Sequence, residues 1–396
     1  MYRIGVDIGG TNIALGILDE GWELLAQKSV PFQRGGEIVA AIIAQQIRAM
    51  LAETGIAESM LECIGIAVPG SITPDGQLEL DAYNLGFHNE PLKERIQAHF
   101  PGIPVALGND ADAAVLAELH KGALQGCKTA ALYTLGTGIG GGFILNGKMF
   151  RGGRGNGIEP GHGVLVDGGE ACTCGVKGCI EAYCSATALI REARKAMAVR
   201  PDSLLYKKTQ GDPGAMTAKV AIDCAKAGDP TAMAVFQAYV GHLGSAIASI
   251  MNLLDMEVVA IGGGVSGAGE FLFEPLRRDV DTKCFFQNHG DVVPAQMGNA
   301  AGMVGAAMFY QNQQQPMKLQ VGTERPGHFQ PGYPEQWDIV SHLECAAGIP
   351  QALFAITTRK ENGRPNVCFH SWSCFHGDKT AFFAVLGGLF QHTHIY

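Results

Sequence analysis

The densest chemistry in the chain is a short run of cysteines with a histidine ahead of it. Glu159-Pro160-Gly161-His162 precedes Cys172-Thr173-Cys174-Gly175-Val176-Lys177-Gly178-Cys179-Ile180-Glu181. One imidazole (His162) and three thiolates (Cys172, Cys174 and Cys179) form a Cys₃His set, which closes a tetrahedral zinc shell. The interspersed glycines let so short a loop wrap an ion, which disfavours the alternative of coincident free thiols. A closed shell has no open position for a substrate, so this zinc would be structural. Its role would be to fix Glu159, His162 and Glu181 around a pocket. Cys184, just beyond, reads as a small buried hydrophobe rather than a further ligand.

Two glycine-rich turns offer a second kind of chemistry. In Asp7-Ile8-Gly9-Gly10-Thr11-Asn12, glycine lets backbone N–H groups approach a phosphate and Thr11 adds a hydroxyl donor. A carboxylate ahead of such a turn, here Asp7, can hold Mg²⁺ through water. A plain hairpin turn is the alternative for this segment alone. The second turn, Gly136-Thr137-Gly138-Ile139-Gly140-Gly141-Gly142, contains a formal G-x-G-x-x-G. A dinucleotide site needs a helix to begin within those glycines, and here strand-like Phe143-Ile144-Leu145 follows. Two phosphate-type hairpins point instead to a nucleotide polyphosphate clamped between two lobes. Gly108-Asn109-Asp110-Ala111-Asp112-Ala113 ends a short strand and opens an Ala-rich helix. A carboxylate there can face a cleft, while either Asp110 or Asp112 could serve as the helix N-cap.

The elements around these residues repeat. Strand patterns flank the first turn over Val6 to Leu18, and a third strand runs from about Trp22 to Val30. A helix is predicted over 37–54, then a strand at 63–68, a helix at 91–99, a strand at 105–107 and a helix at 111–119. The pattern restarts with a strand over 129–135, the second turn, and a return strand before the hairpin turn Asn146-Gly147. We read two related halves, each presenting a turn to one ligand. Helices are predicted at 180–197 and 230–254, a strand at 257–261 leading into Gly262-Gly263-Gly264, and a last helix at 300–310. The polar run Gln311 to Pro316 reads as a linker.

Composition narrows the class. The 396 residues are 47% hydrophobic and 17% charged, enough for a core and against wholesale disorder. The net charge of −9 argues against a general nucleic-acid binder. There are 54 glycines, about twice the usual ~7% share, with no collagen period. No run reaches the ~18 apolar residues of a membrane span, and the N-terminus enters a strand pattern without signal-peptide architecture. The 11 scattered cysteines then read as reduced thiols, and the expected location is cytoplasmic.

Residues 1 to about 312 resemble the ROK family of sugar kinases, and within it the bacterial glucokinases. The matching stretches are Asp7 to Asn12, Val68-Pro69-Gly70, Asn84-Leu85-Gly86-Phe87, Asn109-Asp110-Ala111, Leu135 to Gly142, Glu159 to His162 and the cysteine loop. The resemblance implies an α/β, actin-like and ribonuclease-H-like ATPase fold with ATP held in a central cleft. It implies a small lobe over 1–121 with the helix 300–312 packed back on it, a large lobe over 122–299 with the zinc loop, and a linker at 313–316. By position, Asp110 would be the catalytic base on the sugar 6-hydroxyl. Asn84, Asn109, Glu159, His162 and Glu181 would bind sugar hydroxyls. Gly9, Gly10, Thr11, Thr137 and Gly138 would face the phosphates, Asp7 would sit near Mg²⁺, and Gly263 and Gly264 against the adenosine. His162, Cys172, Cys174 and Cys179 would hold zinc. The resemblance also implies a homodimer, with no nucleic acid or membrane as partner. Pro160 and Asn156-Gly157-Ile158 depart from the family pattern beside Glu159. Asp112 stands where Asn is common, and its charge would raise the Asp110 carboxyl.

Residues 317–396 resemble part of a flavin-reductase-like, FMN-binding split barrel. Ile356-Thr357-Thr358-Arg359-Lys360, Gly363-Arg364-Pro365-Asn366 and Ser371-Trp372-Ser373 carry that resemblance. The barrel is incomplete, with unpaired edges that call for a partner chain or mark the remnant of a fused reading frame, so bound FMN is not expected.

Overall fold

The computed structural model describes residues 1–73, 79–82, 85–153 and 157–313, and four strands between residues 354 and 386. The chain divides into two units, Met1–Gln314 and Gln315–Tyr396.

The first unit holds two sheets of the same design. One contains β1 (Tyr2–Ile8), β2 (Asn12–Leu18), β3 (Leu24–Pro31), β4 (Leu61–Val68) and β8 (Val105–Asn109), in the order β3-β2-β1-β4-β8. Between β4 and β8 come a small sheet of β5 (Ser71–Ile72), β6 (Glu79–Ala82) and β7 (Phe87–Glu90), then α2 (Leu92–His99). The other main sheet contains β9 (Thr129–Leu135), β10 (Ile139–Leu145), β11 (Lys148–Phe150), β12 (Val258–Gly262) and β13 (Asp291–Pro294), in the order β11-β10-β9-β12-β13. In both, the central strand pairs antiparallel with the strand after its glycine turn and parallel with the next one inward. The glycine turns therefore occupy equivalent places in two copies of one topology.

The first sheet has helix on both faces. On one lies α1 (Gly36–Thr54), burying Val39, Ile43, Ile47 and Met50 with Ile4, Val6, Ile13 and Leu15. Burying each such aliphatic side chain favours folding by about 1.5–3 kcal/mol. On the other lie α3 (Asp110–Lys121) and the last helix, α10 (Ala301–Gln313). Gly5 and Gly65, paired across β1 and β4, let α10 approach closely: a methyl on either would overlap Met303 O or Ala306 O. Gly108 makes the same room for the Phe309 ring, and Gly305 for the backbone of Ala113 on α3.

The second sheet packs against α4 (Glu181–Cys184), α5 (Ala186–Val199), α6 (Leu204–Thr209), α7 (Ala218–Lys226), α8 (Pro230–Leu254) and α9 (Glu270–Lys283). By length and composition alone α8 is apolar enough to cross a membrane. Here its Phe236, Tyr239, Leu243, Ile247 and Met251 lie in the core of this lobe.

Some sequence expectations change. The helix predicted at 180–197 is broken at Ser185, whose extended backbone and hydroxyl cap α5 through Ala188 N. Gly140, Gly141 and Gly142 belong to β10 rather than to the turn. Their bareness serves packing: a methyl on Gly140 would press on Ala111 Cβ, and one on Gly142 on Val115 of α3. The last helix runs through Gln313, three residues past its predicted end. Periodicity missed α6, α7, α9, β13 and the small sheet, which are short or built from mixed polar residues.

The second unit contains two antiparallel pairs, β14 (Phe354–Arg359) with β15 (Pro365–His370) and β16 (Ser373–Gly377) with β17 (Phe382–Leu386). Lys360, Gly363, Arg364, Ser371 and Trp372 of the split-barrel resemblance, and the linker at 314–316, lie outside the described residues.

Candidate active site

The site begins where β8 becomes α3. Asn109 has extended backbone and caps the helix, its side-chain oxygen accepting Ala111 N at 2.8 Å and Asp112 N at 3.3 Å. The cap is thus Asn109, not Asp110 or Asp112. Its Nδ2 donates to Gly70 O at 2.9 Å, so of the Asn109 amide one N–H remains for a ligand. Asp110 follows at the first helical position, where its Oδ1 accepts Ala111 N at 2.8 Å. Burial, then the nearby Asp7 charge, push the Asp110 carboxyl up from 3.8 to about 6; the Ala111 N–H opposes this, and Glu159 adds to it. The like charges acting on it are Asp7 and Glu159, rather than the Asp112 of the sequence argument. Asp112 is buried and ion-paired with Arg151 Nε at 3.6 Å.

Asp7 is the last residue but one of β1, beside the first turn. Burial raises its carboxyl, which lies against the backbone of α10 at Gly302, where any side chain would overlap it. The turn is closed by Gly9 N donating to Asn12 O at 2.8 Å, and Phe32 N donates to Thr11 O at 2.8 Å. Gly10 and Thr11 are exposed at its tip.

The second turn is held by side chains from elsewhere. Gly136 N donates to Gly138 O at 3.0 Å, Ala186 N to Gly136 O at 2.8 Å, and Thr187 Oγ1 to Thr137 O at 2.7 Å. Ile139 N donates to Glu181 Oε2 at 2.9 Å. The other carboxylate oxygen, Oε1, accepts Thr173 Oγ1 at 3.0 Å and Cys172 Sγ at 3.5 Å. Glu181 therefore joins the second turn to the cysteine loop. Gly263, with φ of 82°, sits against Leu135 at the end of β9 beside this turn, and the space over Gly264 is open.

His162, Cys172, Cys174 and Cys179 converge, their donor atoms all within 4.8 Å of one another. Cys172 Sγ lies 3.7 Å from His162 Nδ1, and Cys174 Sγ 3.6 Å from Cys179 Sγ. A tetrahedron with Zn–S bonds of ~2.3 Å has edges of about 3.8 Å, so the spacing fits a zinc ion. Gly175 (φ 89°) and Gly178 (φ 86°) make the left-handed turns that close the loop, and a methyl on Gly178 would overlap Val166 O. Cys184 is buried outside this set. Glu159 precedes a short 3₁₀ turn, Pro160–His162, that packs against Ile139 through Gly161. Exposed by area but ringed by protein, Glu159 has its carboxyl raised by burial, against the pull of His162 and with Asp112 and Glu181 adding to the rise.

The fold thus brings Asp7, Asp110, Glu159, His162 and Glu181 into one charged neighbourhood. Asn84 and Asn156 lie outside the described residues. The roles of Gly70, Arg151, Thr187 and Gly302 were not read from sequence; only the glycine of Val68-Pro69-Gly70 carried a signal.

Known proteins resemble this chain in sequence and fold. Residues 3–313 match the ROK family. The chain is 35% identical over 331 residues to a glucokinase of Halalkalibacterium halodurans, covering 82% of this chain and 99% of that one. It is 37% identical over 309 residues to a glucokinase of Thermotoga maritima, covering 77% and 95%. Among solved structures, the ROK family glucokinase from Streptomyces griseus in complex with glucose and AMPPNP superposes with a TM-score of 0.65 at 34% identity, covering 78% of this chain and all of that one. Since the match takes in both sheets, both turns and the cysteine loop, the chain belongs to the ROK family.

Proposed function

We propose that the protein is an ATP-dependent hexose 6-kinase with glucose as its first substrate, acting in the reduced interior of the cell. The observation that carries this reading is the place of Asp110. It stands at a helix start, in the same charged neighbourhood as Asp7 beside one glycine turn and Glu159 beside the elements that hold the other, and its carboxyl is lifted toward neutrality. The similarity to glucokinases supports the choice of substrate.

Asp110 accepts the proton of the sugar 6-hydroxyl as that oxygen attacks the terminal phosphorus of ATP. The bond from phosphorus to the bridging oxygen breaks, and ADP, the sugar 6-phosphate and one proton result. Phosphoryl transfer depends mostly on alignment and on spreading charge. The backbone N–H groups of Gly10, Thr11, Thr137 and Gly138 supply donors for the phosphates, Gly9 lines the approach with its own N–H spent on Asn12 O, and Gly263 and Gly264 leave a flat surface for the adenosine. Asp7 supplies a hard carboxylate oxygen that suits Mg²⁺, which would neutralise phosphate charge when bound, and leaves Asp110 free to take the proton. Asn109, with one N–H to spare, Glu159 and His162 bind sugar hydroxyls. Glu181 takes that role only by yielding one of its present donors. The Cys₃His set holds structural zinc. Two copies form the working protein.

A coupled assay of ATP consumption across glucose, mannose, fructose, allose and N-acetylmannosamine tests the reading. Glucose should give the highest kcat/KM. Asp110→Asn should lower kcat by about 10²–10⁴-fold while glucose binding, followed calorimetrically, stays within a few fold. Near-normal turnover in that variant removes Asp110 from the role.

A further inference from the structure

The chain passes between the two sheets twice, outward over residues 122–128 and back over 295–300, and one side chain holds both passages. Glu118, in the last turns of α3, is 1% exposed. Its Oε2 accepts Ala123 N on the outward passage at 2.7 Å. Its Oε1 accepts Gln296 N at 2.8 Å and Met297 N at 2.7 Å on the return. All three partners are N–H donors and both oxygens are engaged. A glutamine of the same shape would satisfy one passage and turn an NH₂ group against the other. Gly122 leaves the room this needs, since a methyl there would overlap Oε2.

What the passages lead to is the site. Asp110 begins the helix that carries Glu118, about 12 Å away along its axis. The return passage runs into α10, whose Gly302 lies against Asp7. We propose that Glu118 is the hinge pin of the two lobes, a positioning residue that makes both passages bend together. The pin lets α3 and α10 carry Asp110 and Asp7 as one body relative to the second turn. Its kinetic consequence rests on the kinase reading; its mechanical consequence does not.

The test uses the full chain with Glu118→Gln and, separately, Gly122→Ala, which displaces Oε2 without removing the charge. Amide hydrogen exchange is followed at Ala123, Gln296 and Met297 without substrate, beside the melting temperature and steady-state kinetics with ATP and glucose. A pin predicts that Gly122→Ala, which displaces the whole Glu118 carboxylate, speeds exchange at Ala123, Gln296 and Met297 together. The melting temperature should move by no more than about 4 °C. In both variants kcat should fall about tenfold to a hundredfold and glucose KM rise with it, since misplacement far from the chemistry acts on alignment. Faster exchange confined to Ala123, or loosened amides with kcat and KM unchanged, overturns the proposal. An inactive parent protein counts against the kinase reading and leaves the exchange result to decide the hinge.

Discussion

The two glycine turns sit at the same place in two sheets of the same order, yet they are held in different ways. The first is closed by its own backbone, Gly9 to Asn12, and its lobe is tightened by helix α10 lying directly on the strand glycines Gly5, Gly65 and Gly108. The second has its own closing bond, Gly136 N to Gly138 O, but is also gripped from outside, by Thr187, by the backbone of Ala186 and by Glu181, which also holds the cysteine loop. One lobe gains rigidity by excluding side chains, the other by recruiting them. The asymmetry lets the second lobe couple the cysteine loop to its glycine turn through a single carboxylate.

The comparison is broken most severely by removing the metal. Cys174→Ser should strip zinc from the protein and release the loop that positions Thr173 on Glu181. Supports of this kind typically cost about 10–100-fold when lost. Glucose affinity should fall by that factor while the first lobe keeps its stability. Metal analysis with calorimetry reads both, and full affinity in metal-free protein refutes the coupling.

The first lobe has its own weak point. Gly65→Ala drives a methyl into Ala306 O and should cost about 1–3 kcal/mol as overpacking. Denaturant unfolding should show it, with zinc content unchanged. An unaltered midpoint would mean that α10 yields without strain.

Between the lobes, pH reports on Asp110. Its carboxyl must be ionised to accept a proton, so turnover should rise through about pH 6 and level off above it. The sign for stability is opposite. The folded state holds this proton more tightly than the unfolded chain, so its contribution is full below about pH 4 and is lost as pH rises through 6. Asp7→Asn should move the acid limb of kcat/KM further down than Glu159→Gln does, because Asp7 is the larger of the two influences. Equal shifts would place Asp110 evenly between the lobes.

The smallest change is Thr187→Ala, which removes one hydrogen bond to the second turn. A bond of this type contributes about 1 kcal/mol, or roughly a fivefold rise in KM for ATP. Glucose binding should not move; if it does, the turn and the sugar loop are more tightly joined than the contacts indicate.

Local chemistry was legible from residues alone wherever spacing and type act at short range. The two turns, the Cys₃His run and the start of α3 all lie within a few residues of the groups they organise. The extra glycines of β10 were misread as turn because their partner, α3, is more than twenty residues away in sequence. The break at Ser185 was hidden by continuous helical periodicity on either side, and the mixed polar pattern of α9 concealed a buried face of Leu272, Phe273, Leu276 and Val280.

The sequence by itself determined which groups are available: a thiolate set able to close on zinc, carboxylates at turn and helix ends, and glycines that admit a phosphate or another backbone. Only the tertiary structure decided which of these charges press on Asp110, that Asn109 and Glu181 spend their hydrogen-bonding capacity largely on the protein, and that Glu118 spans both passages between the lobes. The reason is physical. Desolvation and Coulomb interaction depend on distance through space, and folding sets those distances between residues far apart in the chain.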